Sequence, residues 1–155
     1  MTLIIVRHGQ ASDNIEDDKR VLTKKGREEA LSAGRYLKDL NTDPQYIIHS
    51  NKKRSSQTAM IIAELLGATD RLYMQENAGP DGNVEDILDI VLNTDATVII
   101  VSHIPFVNIL SAYLLSDNIV NEHFRFQTGA MLILDRTADN QWTASKFINP
   151  TDVTT

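Results

Sequence analysis

The residues of this chain best suited to chemistry are two arginines and two histidines, Arg7, His8, Arg54 and His103. Arg7-His8-Gly9 ends the apolar run Leu3-Ile4-Ile5-Val6, and Ser102-His103 ends the run Thr97-Val98-Ile99-Ile100-Val101. A third short run, Tyr46-Ile47-Ile48-His49, closes at Ser50, and Arg54 follows within the first turn of an expected helix. Guanidinium forks match the oxygens of a phosphate. Histidine can act as a covalent nucleophile toward phosphorus, and a helix N-terminus offers free N–H groups and a positive dipole end to anions. Taken alone, Arg7-His8-Gly9 reads equally well as a polar strand end facing water. A second strand-end histidine and a helix-start arginine turn the reading toward a phosphoryl-transfer site. Such a site works by positioning and charge neutralisation.

These side chains meet only if the elements bring them together. The apolar, β-branched runs at 3–6, 46–49, 97–101 and 131–135 read as buried strands. Between them, helical spacing appears in Lys24 to Leu40, with Thr23 as N-cap, and in a second helix capped by Ser50 or Asn51. It also appears in Val84, Ile87, Leu88, Val91 and Leu92, and in the apolar set from Phe106 to Leu115 after Pro105. Arg71 to Gln75 reads as a short strand, Gly79-Pro80-Asp81-Gly82 as a loop, and Trp142 to Ile148 as the second strand of a terminal hairpin. Alternating strands and helices predict an α/β three-layer sandwich, a mostly parallel central sheet with helices on both faces. Parallel neighbours would set His8 and His103 at one sheet edge, outside the carboxyl ends of the strands. Residues 1–149 are expected to form a single domain and 150–155 a frayed tail.

Composition narrows the function classes. The chain has 155 residues and no cysteine, so a disulfide framework, thiolate metal site and cysteine nucleophile are excluded. A net charge of −6 disfavours nucleic-acid and anionic-membrane partners. No apolar run approaches a membrane span, and the first apolar stretch is too short for a signal peptide. Together these predict a cytoplasmic protein. GxxxxGK[ST], HExxH and EF-hand patterns are absent and the four histidines lack ligand spacing, so no metal and no cofactor is expected.

Arg7-His8-Gly9 with Asn14 resembles the R-H-G-x-x-x-x-N signature of the histidine phosphatase (phosphoglycerate mutase-like) superfamily. Leu22-Thr23-x-x-Gly26 resembles its L-T-x-x-G helix start, and Ser50 to Thr58 is similar to its S-x-x-x-R-A-x-Q-T segment. Ser102-His103 resembles the second histidine motif. The matches stand in family order from residue 3 to about 135. Ser102 to Val107, followed by Phe126-Gln127-Thr128-Gly129-Ala130, looks most like the SixA-type phosphohistidine phosphatases. The resemblance implies a phosphoglycerate mutase-like fold with His8 as the phosphorylated nucleophile. It implies that Arg7, Arg54 and His103 bind the phosphoryl group and stabilise its charge, with Asn14 and Arg20 as further phosphate-binding candidates.

Larger superfamily members use a glutamate as general acid for an alkoxide leaving group. Glu76 is the nearest candidate here, and it lacks that acid's usual surroundings, which reads as a surface or hinge residue. A protonated phosphoimidazole needs such an acid less than a sugar or glycerate phosphate does. The sequence therefore predicts a metal-free phosphatase acting on a phosphohistidine-bearing protein, such as a histidine-phosphotransfer domain, and working as a monomer. Two alternatives stay open. One is a small-molecule phosphatase or mutase using Glu76 as its acid, and the other is a non-catalytic phosphate- or phosphoprotein-binding module. His49, His123, Lys24-Lys25, Lys52-Lys53 and the Glu16-Asp17-Asp18 loop are read as structural or solvated, with a weak role for Lys52-Lys53 in steering an anionic partner.

Overall fold

The computed structural model describes residues 1–13, 15–115 and 124–150. Asn14, His123 and most of the expected tail lie outside the described residues. Six strands form one sheet: β1 (Thr2–Arg7), β2 (Tyr46–His49), β3 (Leu72–Met74), β4 (Val98–Ser102), β5 (Met131–Arg136) and β6 (Trp142–Ile148). Their order is β3-β2-β4-β1-β5-β6. The pairings β2–β3, β2–β4 and β1–β4 are parallel, and β1–β5 and β5–β6 are antiparallel. The sheet is mixed, with its parallel part where the sequence places the chemistry.

Among the described residues, four α-helices cover the sheet: α1 (Lys24–Asp39), α2 (Lys53–Leu66), α3 (Val84–Leu92) and α4 (Phe106–Leu115). Strand side chains alternate between faces, which divides the core in two. Leu3, Ile5, Ile48, Val98 and Ile100 pack with Ile87, Val91, Val107 and Leu110 of α3 and α4. Ile4, Val6, Ile47, Ile99 and Val101 pack with Ala33, Leu37, Ala59 and Ile62 of α1 and α2. The continuously apolar runs are thus buried on both faces, as expected of central strands.

The helix faces depart from the apolar spacing in several places. Leu40, Leu92, Ile109 and Tyr113 are exposed, and so is Met60, because α2 buries Arg54, Ser55 and Thr58 and turns part of its apolar set outward. Part of the Phe106–Leu115 set is therefore surface and not core. Thr23 caps α1 through Gly26 N, as its position suggested, a contact worth about 1 kcal/mol. The expected Ser50 or Asn51 cap on α2 is not formed. Lys52 stands at the cap without a side-chain bond, and the Ser50 hydroxyl is engaged elsewhere. Pro105 sits just ahead of Phe106, the first residue of α4.

Candidate active site

Strand register assembles the site. Arg7 of β1 pairs with Ser102 of β4, and His49 of β2 pairs with Val101, so His8, His103 and Ser50 emerge side by side from three parallel strands. The His8 and His103 rings lie 4.9 Å apart at 57°. His8, Arg54 and His103 are all nearly inaccessible, at 6%, 4% and 2% exposure. Arg7, His8, Arg54 and His103 are therefore brought together.

The backbone around β1 is tightly held. Arg7 N donates to Ala130 O and His8 N to Ser102 O. Gly129 N donates to both Arg7 O and His8 O, with Gly129 at φ 79, a left-handed conformation that favours glycine. Gly9 N donates to Thr58 Oγ1 at 3.0 Å, and that hydroxyl donates to Arg54 O at 2.8 Å. One α2 side chain thus links the two halves of the phosphate motif. Gly9 and Gly26 pack backbone against backbone, and a Cβ on Gly26 would fall 2.0 Å from Gln10 O.

His8 Nδ1 lies 2.6 Å from Gly9 O. A carbonyl oxygen can only accept, so Nδ1 carries the proton and Nε2 keeps its lone pair. Burial lowers the His8 pKa to about 4, with Arg54, Arg7 and Arg20 adding to the fall against the Gly9 bond. His103 falls to about 3, again chiefly through burial and then through His8 and Arg54. Both rings are neutral at pH 7. His103 Nε2 is 2.7 Å from Ser50 Oγ, which fixes the ring, and the same hydroxyl accepts from Lys52 N at 3.2 Å, ahead of the first turn of α2.

Arg7 NH1 donates to Phe126 O at 2.8 Å. Among the described residues, Arg7 Nε, Arg54 Nε and His103 Nδ1 are buried nitrogens without a hydrogen-bond partner. Buried polar groups are rarely left so, and three around His8 are suited to an oxygen-rich ligand. Burial holds the Arg54 guanidinium below its ordinary pKa, and Asp17 opposes that shift.

The loop after β1, expected to be a solvated charged segment, reaches the site. Asp17 Oδ1 lies 3.1 Å from Arg54 NH1 and Oδ2 lies 2.7 Å from Lys52 Nζ. Arg20 NH1 stands 3.9 Å from the same carboxylate while its Nε donates to Ser12 O. The Lys52 bond, then Arg54, holds Asp17 below the usual carboxylate range against its desolvation. Asp17 is a site residue that loop composition gave no means of finding. Lys52 is not simply solvated, since it is shared between Asp17 and Asp18.

Glu29 is a second residue missed by the sequence reading. It is buried on α1 and accepts from Gln10 N at 2.8 Å and from Thr128 Oγ1 at 2.9 Å. Its signal was a carboxylate on the stripe Gly26, Glu29, Ala33, Leu37 that faces the core. Glu76 begins a short 3-10 turn, Glu76–Ala78, and is exposed. It lines a cavity of about 210 Å³ with Asp17, Asn51, Lys52, Pro80 and Asp81, so it stands at the rim and not among the buried groups. His49 is half-buried, with Nδ1 on Ser50 O. Among the described residues, no group of three or more His, Asp or Glu could hold a metal ion, and no helix is long and apolar enough to cross a membrane.

Residues 3–76 match the family model described as histidine phosphatase superfamily, branch 1. A SixA protein histidine phosphatase solved with tungstate superposes with a TM-score of 0.88 at 24% identity, covering 99% of this chain and 100% of that one. A phosphoserine phosphatase mutant from Entamoeba histolytica, solved with phosphoserine, superposes at 0.76 with 15% identity over 99% of each chain. These likenesses show the fold. By sequence, a 2,3-bisphosphoglycerate-dependent phosphoglycerate mutase from Bartonella tribocorum is 31% identical over 91 residues, 56% of this chain and 44% of the mutase. The chain thus spans less than half the length of the curated relatives it matches.

Proposed function

We propose that this chain is a phosphatase of the histidine phosphatase superfamily, and that it removes phosphoryl groups from protein phosphohistidine through a covalent phospho-His8 intermediate. The observation that carries the proposal is the His8 tautomer. Gly9 O holds the proton on Nδ1, so a neutral Nε2 is ready to attack, with Arg7, Arg54 and His103 around it.

The steps balance without a strong protein acid. His8 Nε2 forms a bond to phosphorus as the substrate's P–N bond breaks. A substrate ring protonated on its free nitrogen departs as neutral imidazole, and His8 becomes a phosphoimidazolium with Nδ1–H still on Gly9 O. Water then attacks phosphorus, the His8 P–N bond breaks, and orthophosphate leaves with the water proton released to solvent. Arg7 and Arg54 bind the equatorial oxygens, whose charge they stabilise in both transition states. His103 adds a nitrogen fixed by Ser50. The exposed position of Glu76 supports a leaving group that needs no buried acid, and the SixA likeness supports the same substrate class.

The test is phosphate release from a phosphorylated histidine-phosphotransfer domain by the wild type and by His8→Ala. The expected result is release by the wild type only, and undiminished release by His8→Ala would overturn the mechanism. The mutase similarity, together with Glu76 on the cavity rim, supports a second reading as a small-molecule phosphatase or mutase. A panel of sugar phosphates and phosphoglycerates with Glu76→Gln separates the two. Efficient turnover of these esters that collapses in the variant favours the second.

A further inference from the structure

The cavity beside the phosphate cluster has walls of uneven charge. Its lining includes three carboxylates, Asp17, Glu76 and Asp81, against one cation, Lys52. The Lys52 ammonium is already engaged, at 2.7 Å from Asp17 and 3.2 Å from Asp18. Asp17 links this wall to the site, since its other oxygen lies on Arg54. The remaining walls are fixed by the backbone. Ser102 Oγ donates to Ala78 O and anchors the Glu76–Ala78 turn on the end of β4. Gly82 N donates to Gly79 O at 3.0 Å, closing the turn that carries Asp81. A phosphoryl group seated beside His8 on the unpartnered buried nitrogens of Arg7, Arg54 and His103 has this cavity as an adjoining space for its leaving group.

We propose that Asp17, Glu76 and Asp81 determine specificity by favouring a substrate that is cationic beside its phosphoryl group before cleavage, a protonated phosphoimidazole with basic neighbours, over one that bears a carboxylate or a second phosphate there. The inference rests on the phosphatase reading only for where the phosphoryl group sits. Phosphohistidine is most reactive with its ring protonated, and carboxylates nearby favour that cation. The same carboxylates repel the carboxylate of a phosphoglycerate. Glu76 then acts by its charge and transfers no proton.

The experiment compares Asp81→Asn, Glu76→Gln and the double variant with the wild type. It measures kcat/KM for phosphoimidazole and 3-phosphoglycerate and inhibition by phosphocholine and 3-phosphoglycerate, with p-nitrophenyl phosphate as the reference substrate. Each lost carboxylate is expected to shift the cation-to-anion preference toward the anion by about threefold at low salt. The double variant is expected to shift it about tenfold, and the shift shrinks in about 0.5 M salt. An unchanged preference in the double variant overturns the proposal. So does a collapse of ester turnover in Glu76→Gln with Asp81→Asn unaffected, which would make Glu76 a proton donor. If the wild type fails to turn over phosphoimidazole, the substrate reading fails. The inhibition ratios still decide the specificity proposal, because they need binding only.

Discussion

At the residue scale the account rests on a neutral His8. Its lowered pKa, about 4, predicts that with p-nitrophenyl phosphate, whose leaving group carries no titrating ring, His8 protonation slows phosphoenzyme formation only in acid, with a midpoint near 4 where an exposed histidine would titrate near 6.5. Rapid-quench rates between pH 3.5 and 8 measure this, and a midpoint near 6.5 would show that the ring is not buried as described. Arg54 is the more enclosed of the two arginines proposed to hold the phosphate. Arg54→Ala is expected to lower kcat by about 10²–10³-fold, the loss typical of a missing charge-stabilising donor, in a steady-state assay. Asp17 is paired with Arg54 and Lys52. Asp17→Asn should therefore tighten inhibition by inorganic phosphate by about tenfold, read as a lower inhibition constant. Weaker inhibition would mean that Asp17 helps to shape the phosphate site instead of competing for it.

At the scale of elements, the docking of α1 on the end of β1 sets the geometry. Gly26 touches the Gln10 backbone, while Glu29 ties Gln10 to Thr128, and the same turn holds Arg7 and His8 through Gly129. Gly26→Ala is expected to cost about 1–3 kcal/mol, the usual penalty for overpacking, seen as a lower midpoint in denaturant unfolding. The sequence made much of this level readable. The runs ending at Arg7 and Val101 identified β1 and β4 because a strand buried on both faces leaves a continuous apolar signal. Thr23 and Gly26 marked the start of α1 through capping chemistry. Strand order was not readable, since β5 lies antiparallel beside β1 through contacts far apart in sequence. The Asp17–Arg54 pair was also hidden, because an Asp-rich loop carries no periodicity to say where it folds. Ser50 looked like a helix cap because capping and ring-holding use the same hydroxyl.

At the scale of the whole molecule, the site weakens the fold in acid. Both His8 and His103 have folded pKa values below 6.5. Below pH 6.5 the unfolded chain takes up protons that the folded chain refuses, so stability is full above that value and declines as pH falls toward about 4 and then about 3. The His8 shift alone corresponds to roughly 3 kcal/mol. Urea midpoints at pH 7.5 and 4.5 should separate clearly in the wild type and by less in His8→Ala. Equal slopes in the two proteins would show that other groups govern acid lability. The fold itself serves the chemistry by placing three parallel strand ends together, with the antiparallel β5 supplying the Phe126–Ala130 turn that holds Arg7.

The most direct test of the account is to trap the phosphoenzyme. Brief incubation with a labelled phosphohistidine protein, quenching and peptide mapping are expected to place an acid-labile, alkali-stable phosphoryl group on His8, absent in His8→Ala. Turnover without that label, or a label on any other residue, would contradict it.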